Sequence, residues 1–246
     1  DKADPQLVTI TNEGDVEIHN IDITGNALTD AETDPHRGAT EDEWNLHSHN
    51  GYSILLDGVH VYPSVSGGLS PFNFYVHSQH ESEITFRNCS QRRQPSHGWY
   101  ASNFPSSATV NWESCFAKDT GRTGIRCAGD GHIRNCIVVQ EGPDFPAHRG
   151  VSVQRGIWFE GDASGFEISE TDIYHSGNAN GGNPIVVAGD VSASISFDGV
   201  RVRNDSNEQT FNGSPNVISA QNVSIVGTGN MTDDFGIADC VGSNCP

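Results

Sequence analysis

The chain has 246 residues, and its 13 Lys plus Arg against 32 Asp plus Glu give a formal net charge of −19. This charge repels nucleic acid and anionic membrane surfaces, and no apolar run is long enough to cross a bilayer, so we exclude nucleic-acid partners and membrane insertion. The length fits one domain or one continuous solenoid, and disorder is excluded because the apolar residues recur in short triplets.

The predicted elements are short strands that belong to two alternating motifs. One motif is a small or polar residue followed by an apolar-x-apolar triplet, and the other is a strand, a polar corner and a second strand. In chain order, the corner motif occupies residues 16–23 and 54–61, and the two motifs then alternate at 73–76, 84–89, 98–101, 110–115, 124–127, 133–139, 156–159, 166–173, 184–187, 195–202 and 216–219. The repeat length drifts between about 24 and 37 residues because the last loop of each unit varies.

This repeat predicts a solenoid, because one strand-turn-strand rung cannot bury its own apolar side. Stacked rungs pair every strand in parallel and fill a narrow interior with aligned side chains. We therefore predict an all-β fold, a right-handed parallel β-helix of about seven or eight rungs. The alternative, a β-sandwich, needs hairpin turns at short, regular spacing, and these are not evident. We assign residues 1–230 to the β-helix and 231–246 to a C-terminal tail or cap, with a local disulfide between Cys240 and Cys245.

The Gly-Ile starts at 124–129 and 156–161 and the Arg-Asn-Cys corners at 87–89 and 134–136 carry a family resemblance. The chain resembles the pectate-lyase-like right-handed parallel β-helix proteins, of the type found in salt-loving archaea and their viruses. Its acidity and its two lysines, Lys2 and Lys118, fit such a setting. The resemblance implies this fold for about residues 8–229, an extracellular, cell-surface or virion location, and a homotrimer as one assembly. Four Asn-x-Ser/Thr triplets, beginning at Asn204, also favour a location outside the cell.

Four cysteines fall within the predicted rungs. Cys89, Cys115 and Cys136 occupy the same place after the corner on three consecutive rungs, and Cys127 lies at an inward position of another strand. Two interpretations remain open. Stacked neighbours can form a disulfide if the geometry adjusts, or the thiols are buried and free and act as small apolar fillers. The spacing fits no zinc site.

The outward residues of the first motif form a predicted ladder along the rod. Aromatic faces on this ladder can stack on sugar rings, and the flanking polar groups can bond to sugar hydroxyls. The resemblance points to the same face, since polysaccharide-active β-helices commonly use it. An error of one residue in register would turn the ladder inward. The predicted glycan-binding residues are Tyr75, His77, Tyr100, Arg126, Trp158 and Glu160.

Catalytic and metal-binding patterns are less complete. The Asn-x-Asp, Asp-Asp and Gly-His-Gly motifs of hydrolases with this fold are not matched on the rungs. A lyase site would require Asp119, Asp130, Asp144 and Glu160 to converge with Arg126. No metal site is predicted, and no cofactor is expected, although the acidic loop at 30–43 leaves calcium open.

Three functions therefore follow from the sequence. The first is an extracellular or virion-surface module that recognises a cell-surface glycan in a high-salt environment. The second is a polysaccharide lyase or glycoside hydrolase that acts on acidic polysaccharide, and the third is a structural surface protein without a ligand. Whether the protein is an enzyme is left open, and its catalytic residues are not assigned.

Overall fold

The structure is a computed structural model that describes most of the repeat region. It covers residues 8–11, 14–24, 44–48, 53–62, 72–76, 82–92, 97–101, 108–142, 153–177, 179, 181–188, 191, 194–213, 218–229 and 239–241.

The regular elements are 21 β-strands, and the described residues contain no helix. In chain order they are β1 Val8–Thr11, β2 Val16–Thr24, β3 Trp44–Ser48, β4 Ser53–Tyr62, β5 Phe72–Val76, β6 Glu83–Arg87, β7 Ser90–Arg92, β8 Trp99–Ala101, β9 Thr109–Glu113, β10 Phe116–Lys118, β11 Thr123–Arg134, β12 Ile137–Gln140, β13 Arg155–Ser169, β14 Asp172–His175, β15 Ile185–Val187, β16 Ile195–Asp198, β17 Arg201–Asn204, β18 Phe211–Gly213, β19 Ile218–Gln221, β20 Ser224–Val226 and β21 Asp239–Val241.

All described pairings are parallel, and they arrange the strands in three columns that run along one axis. The first column is β1-β3-β5-β8-β11-β13-β15-β18. The second is β2-β4-β6-β9-β11-β13-β16-β19. The third is β2-β4-β7-β10-β12-β14-β17-β20-β21. The first two columns have eight strands each, and the third has β21 as a ninth, so eight rungs have a strand in all three columns. The predicted right-handed parallel β-helix is therefore confirmed, with the hand that parallel crossover connections adopt.

The core is the narrow interior between the three columns, where side chains at paired positions line up. Trp99, Ile125, Ile157, Ile185 and Phe211 form one such line on the first column, and each is at most 1% exposed. On the second column the rings of neighbouring rungs also meet, as in the stacked pair Phe86 and Trp112, with centroids 6.1 Å apart. Inward residues alternate with outward ones because side chains of a strand point to opposite faces.

The corner between the second and third columns is sharp because one residue per rung adopts a left-handed conformation. Asparagine and glycine tolerate this conformation better than other residues. The amides of five corner residues continue the ladder, as when Asn88 N donates to Glu113 O at 2.9 Å. The predicted polar corner is confirmed at several rungs, and the left-handed corner residues are Asn20, Gly58, Asn88, Ser114, Asn135, Glu170, Gly199 and Asn222.

The four rung cysteines are buried free thiols in the structure, at most 2% exposed. Three of them stack as predicted directly after the corner, and the amide of Cys115 donates to the sulfur of Cys136 at 3.4 Å. Burial raises the pKa of Cys115 and Cys127 well above the usual range of a thiol. Of the two open interpretations, the structure therefore shows the buried filler. We call Cys89, Cys115, Cys127 and Cys136 the four buried cysteines.

Two parts of the C-terminal region differ from the prediction. The sequence pattern aligns residues 216–219 with the first motif, but β19 pairs with β16 in the second column. The first-column strand of that rung is β18, which lacks an apolar third residue because a Cβ at Gly213 would lie 1.8 Å from Val187 O. The tail also contributes β21, which pairs with β20. Cys245 lies outside the described residues and the Cys240 side chain is not described, so their disulfide stays a prediction.

Candidate functional site

The outward residues of the first column form a half-buried strip in the middle of the rod. Arg126 of β11 pairs with Tyr100 of β8 on one side and with Trp158 of β13 on the other. The next two positions in the strip are Val186 and Asn212. The strip faces outward because the residues that flank it in each strand point into the core.

Arg126 is held on three sides. Its guanidinium lies 4.1 Å from the ring centroid of Tyr100 and 4.6 Å from that of Trp158. Glu160 accepts from Arg126 Nε at 2.9 Å and lies 2.9 Å from Nη2, which makes the ion pair bidentate. The side chains of Arg126 and Glu160 are 16% and 22% exposed, so solvent screens this pair only in part.

Two further arginines surround this centre. The Arg155 guanidinium lies 4.4 Å from the Trp158 ring centroid, and the Arg155 amide donates to the Arg122 carbonyl on the neighbouring rung. Partial burial, with the charge of nearby Arg126, lowers the pKa of both Arg122 and Arg155. Beneath them the buried ring of His97 stacks on Tyr100 with centroids 5.1 Å apart. We call Tyr100, Arg122, Arg126, Arg155, Trp158 and Glu160 the arginine–aromatic cluster.

A buried polar network fixes the backbone under the cluster. Gln140 accepts from the amide of Thr120 at 3.0 Å and donates to the carbonyl of Arg155 at 2.8 Å. Gln154 donates to the carbonyl of Thr120 at 2.6 Å, and Nε2 of His175 lies 2.9 Å from the Gln154 carbonyl oxygen. Because buried polar groups need partners, this network ties three rungs together at the point from which Arg122 and Arg155 extend.

The structure brings together four of the six predicted glycan-binding residues: Tyr100, Arg126, Trp158 and Glu160. The predicted ladder places Tyr75 beside Tyr100, but the register pairs Asn73 with Tyr100, so Tyr75 lies two residues further along β5. The prediction is wrong at this rung because Phe72-Asn73-Phe74 and Phe74-Tyr75-Val76 both fit an apolar-x-apolar triplet. The side chain of Tyr75 is not described, and His77 lies outside the described residues.

Sequence reasoning missed Arg122, Arg155 and His97. Arg155 stands directly before the Gly156 start and Arg122 two residues before the Gly124 start, so both mark the entry to the same strand of consecutive rungs. An arginine just before each of two consecutive glycine starts was the signal that could have found them. His97 precedes Gly98 in the rung before, but its burial could not be inferred from one sequence.

The acids proposed for a lyase site do not converge in the described residues. Asp119 is buried and accepts from the amide of Glu141 at 2.7 Å, which is a structural role. Asp130 is exposed and accepts from the amide of Gly131, while Asp144 lies outside the described residues. Of the three that the structure describes, Glu160 pairs with Arg126.

A second ionic group lies on the second column. Glu113 pairs with Arg87 Nε at 2.9 Å and with His132 Nε2 at 3.1 Å. Although burial opposes it, these partners lower the pKa of Glu113, so the carboxyl is ionised and is unsuited to act as a general acid near neutral pH. No group of three His, Cys, Asp or Glu side chains that could hold a metal occurs among the described residues. The acidic loop at 30–43 lies outside them, so calcium stays open.

Two findings bear on location. The described part of the chain contains no helix long and apolar enough to cross a membrane. Of the Asn-x-Ser/Thr triplets, the one at Asn204 cannot accept a glycan in the folded chain, because Asn204 is fully buried and its amide donates to Glu208 O and to Thr210 Oγ1. This weakens the support that the triplets gave to a location outside the cell.

Fold and site together define a parallel β-helix with an arginine–aromatic cluster on its first column. No protein-family model matches the chain, and no curated protein matches it. Among solved structures, it is similar to the enzymatically active domain of tailspike protein 2 of bacteriophage CBA120. The TM-score is 0.44 and the sequence identity 13%, over 96% of this chain and 42% of that one. The fold assignment rests on the parallel strand pairing of the chain itself.

Proposed function

We propose that the chain is an extracellular or virion-surface β-helix module that recognises a cell-surface glycan in a high-salt environment. The observation that carries this proposal is the arginine–aromatic cluster, which combines half-buried rings and multiple N–H donors on three adjoining rungs. Binding sites combine an apolar surface with a few placed polar groups, and sites on rigid elements hold their geometry best.

The setting is supported by the charge of the whole chain. A net charge of −19 with two lysines leaves a surface dominated by carboxylates, which hold water and cations in concentrated salt.

The homotrimer that the resemblance implies belongs to the same proposal. Sedimentation in high salt tests it, and a monomer at all concentrations would remove it.

The glycan proposal is tested by binding of the purified chain to a glycan array in high salt. We expect Trp158→Ala to lose most of the binding, because Trp158 contacts both Arg126 and Arg155. Tyr174→Ala is the matched control, since Tyr174 is another outward aromatic with an arginine, Arg203, 5.1 Å from its ring, but on the third column. Loss of binding in both variants, or in neither, would contradict the assignment of the site.

The same preparation separates binding from catalysis. Incubation with a uronate polymer and calcium, followed by ultraviolet absorbance, detects the unsaturated product of a lyase. We expect binding without product, because the described residues do not assemble the acids that a lyase site requires. A rise in absorbance with the wild-type chain that is lost in Arg126→Met would show lyase activity, and the enzyme would then replace the binding module as the proposed function.

A further inference from the structure

Three arginines lie close together on a chain that is otherwise strongly acidic. Arg122, Arg126 and Arg155 are three of only 13 Lys and Arg residues, and they lie on two adjoining rungs. Among the described residues, the carboxylate that pairs with any of them is Glu160, and it pairs with Arg126. Within the described part of the chain, the guanidinium groups of Arg122 and Arg155 therefore have no carboxylate within salt-bridge distance.

Guanidinium groups already lie over the aromatic rings of the cluster. Arg126 lies over both Tyr100 and Trp158, and Arg155 lies over Trp158 as well. A sugar ring cannot stack on a face that a guanidinium occupies at about 4 to 5 Å, since that is the separation of atoms in contact. Recognition at this site must then come from N–H donors rather than from stacking on the rings.

One of these donors is buried without an acceptor. Nε of Arg122 is inaccessible to solvent and has no hydrogen-bond partner among the residues that the structure describes. A buried donor without an acceptor is costly, more so when it carries charge, and a shift of the Arg122 side chain that lets an oxyanion accept this bond would remove the cost. Guanidinium groups hold carboxylate and sulfate groups through paired N–H bonds, which makes arginine better suited to this task than lysine.

We infer that the cluster binds an anionic glycan, through a carboxylate or sulfate group held by the guanidinium groups of Arg122 and Arg155. This inference rests on the proposed function and names the ligand class for the same site. Arg126 serves as the spacer between the two rings, because Glu160 already neutralises its charge. The lowered pKa of Arg122 and Arg155 fits this division of roles, since a bound anion favours the charged form of both.

The test compares acidic with neutral oligosaccharides of equal length, by calorimetry in high salt. The acidic probes are a uronate oligomer and a sulfated oligomer, and which of them binds identifies the anion. We expect Arg122→Gln and Arg155→Gln each to weaken acidic binding about tenfold or more, the worth of a charge-assisted hydrogen bond. Arg201→Gln is the matched control, because Arg201 pairs with Asp172 on the third column and is 71% exposed.

Small probes separate this inference from the proposed function. Inorganic sulfate and free glucuronate are titrated against tryptophan fluorescence, to which Trp158 contributes beside Arg155. Sulfate or glucuronate binding that either Arg variant abolishes, without binding of any oligosaccharide, would keep the anion site and overturn the glycan function. Equal binding of neutral and acidic oligosaccharides, or acidic binding that survives both substitutions, would overturn the anion site and keep the function.

Binding of neither the small anions nor any oligosaccharide would overturn both. If a variant fails to fold, judged by circular dichroism, the preference of the wild-type chain for acidic over neutral oligosaccharides still decides the inference.

Discussion

Replacing Arg126 by Met removes a guanidinium that three neighbours share while keeping most of the side-chain stem. Without the guanidinium, the cation–π interactions with Tyr100 and Trp158 and the bidentate ion pair with Glu160 cannot form. The Met side chain can still pack against the two rings, so the destabilisation comes chiefly from removing the charge and its hydrogen bonds.

The structure allows the size of this destabilisation to be estimated. Each cation–π contact at a partly exposed site contributes about 0.5–1 kcal/mol, and a charge-assisted hydrogen bond contributes about 1.5–3 kcal/mol. Because Glu160 is left partly buried without its partner, we expect Arg126→Met to lower the free energy of unfolding by about 3 kcal/mol. The pair between Arg201 and Asp172 also crosses one rung, but Arg201 is 71% exposed. Arg201→Met should therefore have little effect on the free energy of unfolding, because solvent screens an exposed ion pair.

The assay is urea unfolding of the wild-type chain and both variants, followed by circular dichroism at constant salt. A double substitution, Arg126→Met with Glu160→Gln, should recover part of the stability, because it removes the uncompensated carboxylate. If Arg126→Met cost no more than Arg201→Met, the reasoning that Arg126 is a structural spacer within the cluster would be refuted.

Three further predictions concern pH, backbone conformation and thiol chemistry. Burial lowers the pKa of His175 below its usual 6.5, so as the pH falls the unfolded chain protonates at this histidine before the folded chain does. The free energy of unfolding should therefore be at its full value above pH 6.5 and decrease below it. In thermal unfolding, His175→Gln should lack this decrease. Gly131→Ala should lower the melting temperature by several degrees, because the φ of Gly131 is +145° and a Cβ would lie 1.9 Å from Val110 O. Gly14→Ala should have little effect, because no atom of the described residues lies within 4 Å of the new Cβ. Iodoacetamide should leave the four buried cysteines unmodified until denaturant is added, and mass spectrometry that finds them alkylated or disulfide-bonded in the native chain would contradict their burial.

Most of the fold could be predicted because the β-helix repeats the same local requirement at every rung. The left-handed corner selects residues such as Asn88 and Asn135, and the inward positions select Ile125, Ile157 and Ile185. Each rung therefore carries its own signal, and these signals agree with one another. The prediction failed at β18, where Phe211 is the one inward apolar residue and no triplet marks the strand.

The site could be predicted only in part, because the repeat pattern gives the strand register but not the direction of each side chain. The pairing of Arg126 with Tyr100 and Trp158 follows from strand register alone, so the repeat pattern predicts it. The guanidinium that fills the space between the rings depends on side-chain direction, which a sequence does not give. The sequence therefore predicts open ring faces where the structure has covered ones.

The whole chain is strongly negative whereas the cluster is positive. The solenoid fold explains how one chain can have both. In a β-helix, residues about one repeat apart in the chain become neighbours one rung apart. Arg122 and Arg155 are far apart in sequence, yet their backbones are hydrogen-bonded. Arg122, Arg126 and Arg155, which lie on two adjoining rungs, thus create a local positive site, while the remaining carboxylates set the net charge of −19. At molar salt, where the screening length is about 3 Å, the distant carboxylates would contribute little at the cluster, so contacts within the cluster would decide what binds there.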